Sequence, residues 1–188
     1  MSKAVMLSIR PKWCEKIASG EKTIEVRKTK PKLDTPFKCY IYETQGWWER
    51  DGIMEFRLGG HVIGEFTCDR IDRLAPANEP YGVYDIDDDY VFQTCLENGA
   101  LWDYGHGTPL YGWHISGLKI YNMPKKLIEF SPVCRYKNDD KSCQSRRVAC
   151  SYQKYDYNPD GSINLVGCGR TLERPPQSWC YVEEMDNG

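Results

Sequence analysis

The sequence predicts an α+β fold: a small, mostly antiparallel β-barrel with one or two flanking helices and a C-terminal hairpin extension. Three observations lead there. Short runs alternate apolar and polar residues with the period of two that strands require. The connections between these runs are too short for repeated strand–helix–strand crossovers, which favours antiparallel neighbours. One strongly amphipathic segment near the N-terminus, bounded by a proline and a glycine, reads as a helix.

Taken in order, Lys3 to Ile9 is the first strand, with Val5, Leu7 and Ile9 on one face. Pro11 sits where a helix accepts proline, because its φ is already set and its missing N–H is not needed there. Trp13, Cys14, Ile17 and Ala18 then form an apolar stripe, opposite Lys12, Glu15, Lys16 and Ser19. Gly20 is placed to end this helix in a left-handed conformation. The segment Thr23 to Lys28 follows as a strand, with Ile24 and Val26 facing one way and Thr23, Glu25 and Arg27 the other. Such a strand is either a solvated outer strand or the floor of a polar cleft. Lys30 to Pro36 carries prolines that cannot serve a central ladder, and reads as a loop.

Phe37, Cys39 and Ile41 alternate with Lys38, Tyr40 and Tyr42 in a further strand. Gln45 to Gly60, with Trp47-Trp48, reads as irregular. Gly59-Gly60 turns the chain into the strand His61 to Ile71. Asp87 or Asp88 caps a helix running to about Asn98, with Gly99 as its stop. Gly105 to Gly112 is a glycine-rich loop, and His114 to Tyr121 a strand ended by Pro124. Beyond residue 130 the character changes. Asn158-Pro159-Asp160-Gly161 is a strong turn signal joining Tyr152–Tyr157 to Ser162–Val166. Pairing Tyr157 with Ser162 brings Cys150 opposite Gly169, beside Cys168. Ser178 to Val182 is a terminal strand. The expected division is a barrel over 1–130 and a cysteine-rich extension over 131–188, packed on it.

A chain of 188 residues suits one domain of ordinary size with an appended subdomain. No apolar run approaches the roughly 20 residues that span a bilayer, and no signal-peptide pattern opens the chain, so the expectation is a cytoplasmic protein. The net charge of −2 provides no global attraction to nucleic acid. From Met1 to Lys38, however, ten Lys and Arg stand against four Asp and Glu. That excess is either a solvated face or a surface for phosphate. Nine cysteines is a high count for a reducing compartment, and five fall between Cys134 and Cys180. Cys134, Cys143, Cys150 and Cys168 are candidates for a structural four-thiolate zinc site, although no Cys-x-x-Cys pair occurs. Buried free thiols and disulfides are the alternatives. Cys14, Cys39, Cys68, Cys95 and Cys180 read as small buried hydrophobes.

The segments Leu7-Ser8-Ile9-Arg10-Pro11-Lys12-Trp13 and Lys16-Ile17-Ala18-Ser19-Gly20-Glu21-Lys22-Thr23-Ile24-Glu25-Val26-Arg27 resemble the ASCH domain of the PUA-like superfamily. Val62-Ile63-Gly64-Glu65-Phe66 and Trp113-His114-Ile115-Ser116 extend the likeness, which covers roughly Lys3 to Phe130. The tail, with Pro-Pro-Gln-Ser-Trp-Cys, is similar to an extension of phage-associated and bacterial relatives. The resemblance implies a polar cleft between barrel and first helix that binds RNA or a modified nucleoside. Some relatives remove an acyl group from N4-acylated cytidine, with a lysine, a threonine and a glutamate. Lys22 matches the lysine. The threonine's position, three residues on, is Glu25, and Glu79 is the candidate for the glutamate. Thr23 lies one same-face step earlier, about 7 Å along the strand. The catalytic pair carried over is therefore Lys22 and Glu25, without a hydroxyl nucleophile in register.

The residues themselves support binding. Arg27 offers bidentate contact to phosphate, Lys22 a point charge, and Glu25 an acceptor for an exocyclic amine. Lys22, Thr23, Glu25, Arg27 and Lys12 form the expected ligand-binding set, with Arg10 widening the basic rim. The bland alternative for Glu25 and Arg27 is an ion pair on an exposed strand. Trp47-Trp48 either stacks on bases or folds back over the barrel end. His61, His106 and His114 are the available acid–base groups for RNA cleavage, each more simply a hydrogen-bonded structural residue. A third role is a phage-encoded module that binds another protein.

Overall fold

The computed structural model describes residues 2–50, 52–77, 82–133, 153–157, 159–168 and 170–185. Its centre is a six-stranded mixed sheet. The strands are β1 (Lys3–Ile9), β2 (Ile24–Arg27), β3 (Phe37–Glu43), β6 (His61–Leu74), β7 (Leu110–Lys126) and β10 (Trp179–Glu183), in the order β10-β1-β3-β6-β7-β2. Only β1 and β3 run parallel; the other neighbours are antiparallel. The architecture is the α+β fold expected, with one difference. The sheet does not close into a barrel: β10 and β2 remain its edges. It curls enough that Trp113 on β7 and Trp179 on β10 bring their rings within 6.2 Å, although three strands separate them in the order.

Helix α1 (Pro11–Ala18) connects β1 to β2. Pro11 starts it, and Cys14 and Ile17 are buried against the sheet. Gly20 adopts φ +82° just past its end, in the left-handed region that glycine occupies without steric cost. The Lys22 amide then returns to the Lys16 carbonyl at 2.9 Å, which tucks the turn under the helix.

Both faces of the central strands are buried. Val5, Leu7, Ile9, Phe37, Cys39, Ile41, Phe66, Cys68 and Trp113 share one core with Cys14 and Ile17 of α1. Ala4, Met6, Tyr40, Tyr42 and Val62 share a second with Leu127, Phe130 and Val182. The tyrosines of β3, which alternation assigns to the less apolar face, are thus covered by residues near the C-terminal third. Cys14, Cys39 and Cys68 are buried thiols as expected, whereas Cys95 and Cys180 are half-buried.

Four elements depart from the sequence reading. Gln45 to Gly60 is not irregular: β4 (Gly46–Arg50) and β5 (Ile53–Arg57) pair as a hairpin. A short turn with Gly52 at φ +78° closes it, and a two-strand ribbon of mixed charged and aromatic residues lacks the clean period that would announce it. Trp47 does not fold back over a barrel end. It is 66 % exposed and packs edge-on against Phe56 across the hairpin. The helix expected from Asp87 or Asp88 to about Asn98 ends earlier, as α2 (Asp88–Thr94), and a second helix, α3 (Asn98–Gly105), begins where it was expected to stop. Asp87 caps the first, accepting from the Tyr90 amide at 2.8 Å, and Cys95 in the left-handed region stops it. Gly99 lies inside α3 rather than ending anything, and the expected loop from Gly105 is already strand by Leu110. Finally, Pro124 does not end the late strand. Val62 faces Lys125 while Gly64 faces Ile120, so Pro124 falls in the surplus residues of an irregular stretch, where no ladder donor is missed.

The C-terminal hairpin forms between β8 (Gln153–Tyr157) and β9 (Ile163–Cys168), with Tyr157 opposite Ile163 rather than Ser162. Cys168 stands opposite Gln153. Cys134, Cys143 and Cys150 lie outside the described residues, and with them the four-thiolate zinc expectation. Strand β10 joins the main sheet through β1. None of the described helices is long and apolar enough to cross a membrane.

Candidate functional site

The strand β2 is buried along its whole length. Ile24 and Val26 point toward the layer of α2 and α3, where Val26 joins Leu74, Tyr84, Leu101 and Leu110. Glu25 and Arg27 point the other way, into a cavity of about 650 Å³. The exposed ion-pair alternative for these two residues therefore does not describe them: they form the floor of a cleft.

Three charged side chains meet there. The Glu25 carboxylate receives Arg27 Nε at 3.1 Å on one oxygen and Lys22 Nζ at 3.5 Å on the other. Side-chain exposure is 1 % for Lys22, 8 % for Glu25 and 9 % for Arg27. The trio carries two potential positive charges against one negative, and buried charges persist only when paired and hydrogen-bonded. Arg27 Nη2 donates to the Ser8 carbonyl at 2.8 Å. Its Nε makes no hydrogen bond among the described residues, so the contact with Glu25 is coulombic and one buried donor stays open.

Lys22 donates to the Thr94 carbonyl at 2.6 Å. That carbonyl is free because Cys95 breaks α2 there, leaving the last turn without an intrahelical partner. A cation at a helix C-terminus is also electrostatically favoured. The Trp13 ring lies 5.0 Å from Nζ on a further side. Burial depresses the Lys22 pKa below its ordinary value, and the negative charge of Glu25 opposes this only partly.

The remaining walls come from distant parts of the chain. Ser8, Ile9 and Arg10 supply one side, Leu96 and Tyr104 another, and Pro175 to Ser178 a third. Ser8 holds that last segment twice, its hydroxyl donating to the Pro176 carbonyl at 2.6 Å and its amide to the Ser178 carbonyl at 2.9 Å. Sequence reasoning missed Ser8, Thr44, Leu96, Tyr104 and Gln177 as lining residues. No local pattern marks them, since the cavity is assembled by contacts between segments distant in the chain, such as Lys22 with Thr94 and Ser8 with Pro176.

Of the expected ligand-binding set, Lys22, Glu25 and Arg27 come together. Thr23 does not line the cavity: its amide donates to the Gln93 carbonyl and its hydroxyl faces the Gln93 side chain at 3.5 Å. Lys12 is exposed, its Nζ 5.0 Å from the Trp13 ring, and stands outside the lining. Glu79 lies outside the described residues. Among the histidines, His61 bonds the Gly59 carbonyl at 2.8 Å and His106 caps α3 with φ +51°. His114 has the partners that sequence did not reveal. Its Nε2 is 2.6 Å from Asp72 Oδ2 and 3.0 Å from Arg70 Nη2. A bulge in β6 sets Asp69 and Arg70 against His114 alone, and turns Arg70 and Asp72 toward it. This trio is outside the cavity lining.

The fold has relatives of known structure. A serine-to-alanine variant of the ZmASCH protein from Zymomonas mobilis matches with a TM-score of 0.54 at 17% sequence identity, over 96% of this chain and 89% of that one. A tyrosine-to-phenylalanine variant of the same protein matches at 0.50 and 18%, over 89% and 93%. No protein-family model and no curated protein matches the sequence. Likeness at this level of identity carries the architecture: the fold is ASCH-like.

Proposed function

We propose, from an ASCH-like fold with this cavity at its first helix, that the protein binds RNA or a modified nucleoside or nucleotide there. The observation that carries the reading is the Lys22–Glu25–Arg27 floor: two cations and one carboxylate, almost fully buried, opening into about 650 Å³. That volume suits a mononucleotide-sized ligand. Arg10, exposed at the rim, complements a phosphate, while Trp13 and Tyr104, which line the same cavity, offer aromatic surface to a base. Binding is favoured over N4-acylcytidine hydrolysis because Glu25, which stands where the resemblance puts the nucleophile, has no hydroxyl and is clamped between two cations, and Thr23 is engaged with Gln93 outside the cavity lining.

Titration calorimetry with cytidine 5′-monophosphate, N4-acetylcytidine and a short single-stranded RNA tests this. Arg10→Ala removes an exposed lining charge without touching the core, and its expected cost is about tenfold in affinity, or ~1.4 kcal/mol. Arg73→Ala, exposed on β6, is the control. Equal affinities for the two variants, or no heat with any of the three ligands, would overturn the assignment.

A further inference from the structure

We propose that Lys22 is an imine-forming lysine, its Nζ adding to the carbonyl carbon of a small aldehyde that carries an anionic group. The inference rests on the reading of the cavity as a ligand site and names a chemical class for what enters it.

A primary amine attacks a carbonyl only in its unprotonated form, and an ordinary lysine at neutral pH is almost wholly ammonium. Lys22 departs from the ordinary in three ways. Its side chain is 1 % exposed, yet it lines the cavity, so reagents reach it from that side. Burial of the amine disfavours the charged form and holds its pKa below the ordinary lysine value. The Thr94 carbonyl holds the amine at 2.6 Å, which fixes its position before any ligand arrives.

A lysine that served only to cap α2 would need no proton relay. Glu25 provides one: its Oε2 stands 3.5 Å from Nζ, and its other oxygen is held by Arg27. The steps balance without an external reagent. As the Nζ–C bond forms, one of the two amine protons passes through Glu25 to the carbonyl oxygen, giving the carbinolamine. The second amine proton then passes through Glu25 to the carbinolamine hydroxyl, the C–O bond breaks and water leaves. The remaining nitrogen–carbon bond becomes a double bond, so amine plus aldehyde gives imine plus water, with no change of oxidation state. Arg10 lines the same cavity with its charge exposed at the rim, which selects an anionic substituent on the aldehyde. The Leu96 and Trp13 surfaces restrict water at the amine, the condition under which an imine persists.

The test is reductive trapping on the full chain with glyoxylate and cyanoborohydride near neutral pH, read by peptide mass mapping. Exposed Lys12, on the neighbouring helix, is the internal control. Lys22 is expected to gain the carboxymethyl group several-fold faster than Lys12, with the advantage lost at high pH as exposed amines deprotonate. Glu25→Gln, checked for folding by circular dichroism, is expected to slow trapping at Lys22 and leave Lys12 unchanged. Trapping at Lys22 that is no faster than at Lys12 overturns the proposal, as does fast trapping that Glu25→Gln leaves intact. Cytidine 5′-monophosphate separates the two readings. If it binds while Lys22 is unreactive, the nucleotide site stands and the imine fails. If Lys22 is trapped fast with no protection by the nucleotide, the imine stands and the nucleotide reading fails.

Discussion

At Glu25 a single carboxylate holds two buried cations, and this makes it the residue on which the site's stability turns. Replacing it by glutamine leaves Lys22 and Arg27 facing each other without compensation. Breaking a buried pair by removing one partner costs about 3–5 kcal/mol, and a loss of that order is the expected result in urea denaturation of Glu25→Gln, against a near-neutral Glu21→Gln on the surface. Lys22 also gives the protein a distinctive pH dependence. Its folded pKa is depressed below the ordinary 10.5, so the unfolded chain binds more protons in the window between the two values. The Lys22 contribution to stability therefore rises with pH across that window and is flat below it. Comparing stability against pH for the wild type and Lys22→Met detects this, the variant losing that part of the slope. The residues of this floor were legible as a set, since Lys22, Glu25 and Arg27 sit within six positions. Their burial was not, because alternation along a strand assigns faces without saying what covers each face.

The elements position the floor through their ends. α2 matters for where it stops: Cys95 enters the left-handed region and frees the Thr94 carbonyl for Lys22. At its other end Asp87 supplies the cap, and Asp87→Ala is expected to cost about 1 kcal/mol in thermal or chemical unfolding. α2 rests on β7 where Gly112 leaves space. A Cβ at that position would come within 1.8 Å of Tyr90 Oη and 3.0 Å of the Ile24 side chain. The tyrosine ring is rigid and half-buried, so Gly112→Ala must displace α2 or β2, at an expected cost of about 1–3 kcal/mol. The same shift would move Thr94 from Lys22, so nucleotide affinity should fall together with stability in that variant. Sequence pattern located α1, β1, β3 and β10 closely because each has strong local signals: proline and glycine at helix ends, or clean alternation. It missed the β4–β5 hairpin, the break between α2 and α3, and the passage of β7 through Pro124. In each case the deciding factor was pairing or packing with a distant segment rather than local preference.

For the whole molecule, the striped order β10-β1-β3-β6-β7-β2 places the C-terminal strand against the N-terminal one. β10 covers the β1 edge, and the preceding Pro175–Ser178 forms a wall of the cavity. A chain ending at Arg174 should therefore lose nucleotide binding altogether and, with β1 exposed as an edge, self-associate; calorimetry and size-exclusion chromatography check the two outcomes. By itself the sequence determined the α+β class, the helix-to-strand turn at Gly20, the likeness to ASCH domains and the charged trio of Lys22, Glu25 and Arg27 in and just before β2. All of these rest on short-range periodicity and spacing, which the chain carries in its own order. The tertiary structure alone decided that the sheet stays open, that both faces of β3 are buried, that Thr94 receives Lys22, and that residues near positions 8, 96, 104 and 177 surround one cavity. Those outcomes depend on which distant surfaces exclude water together, and hydrophobic burial is non-directional, so no local pattern encodes its partners.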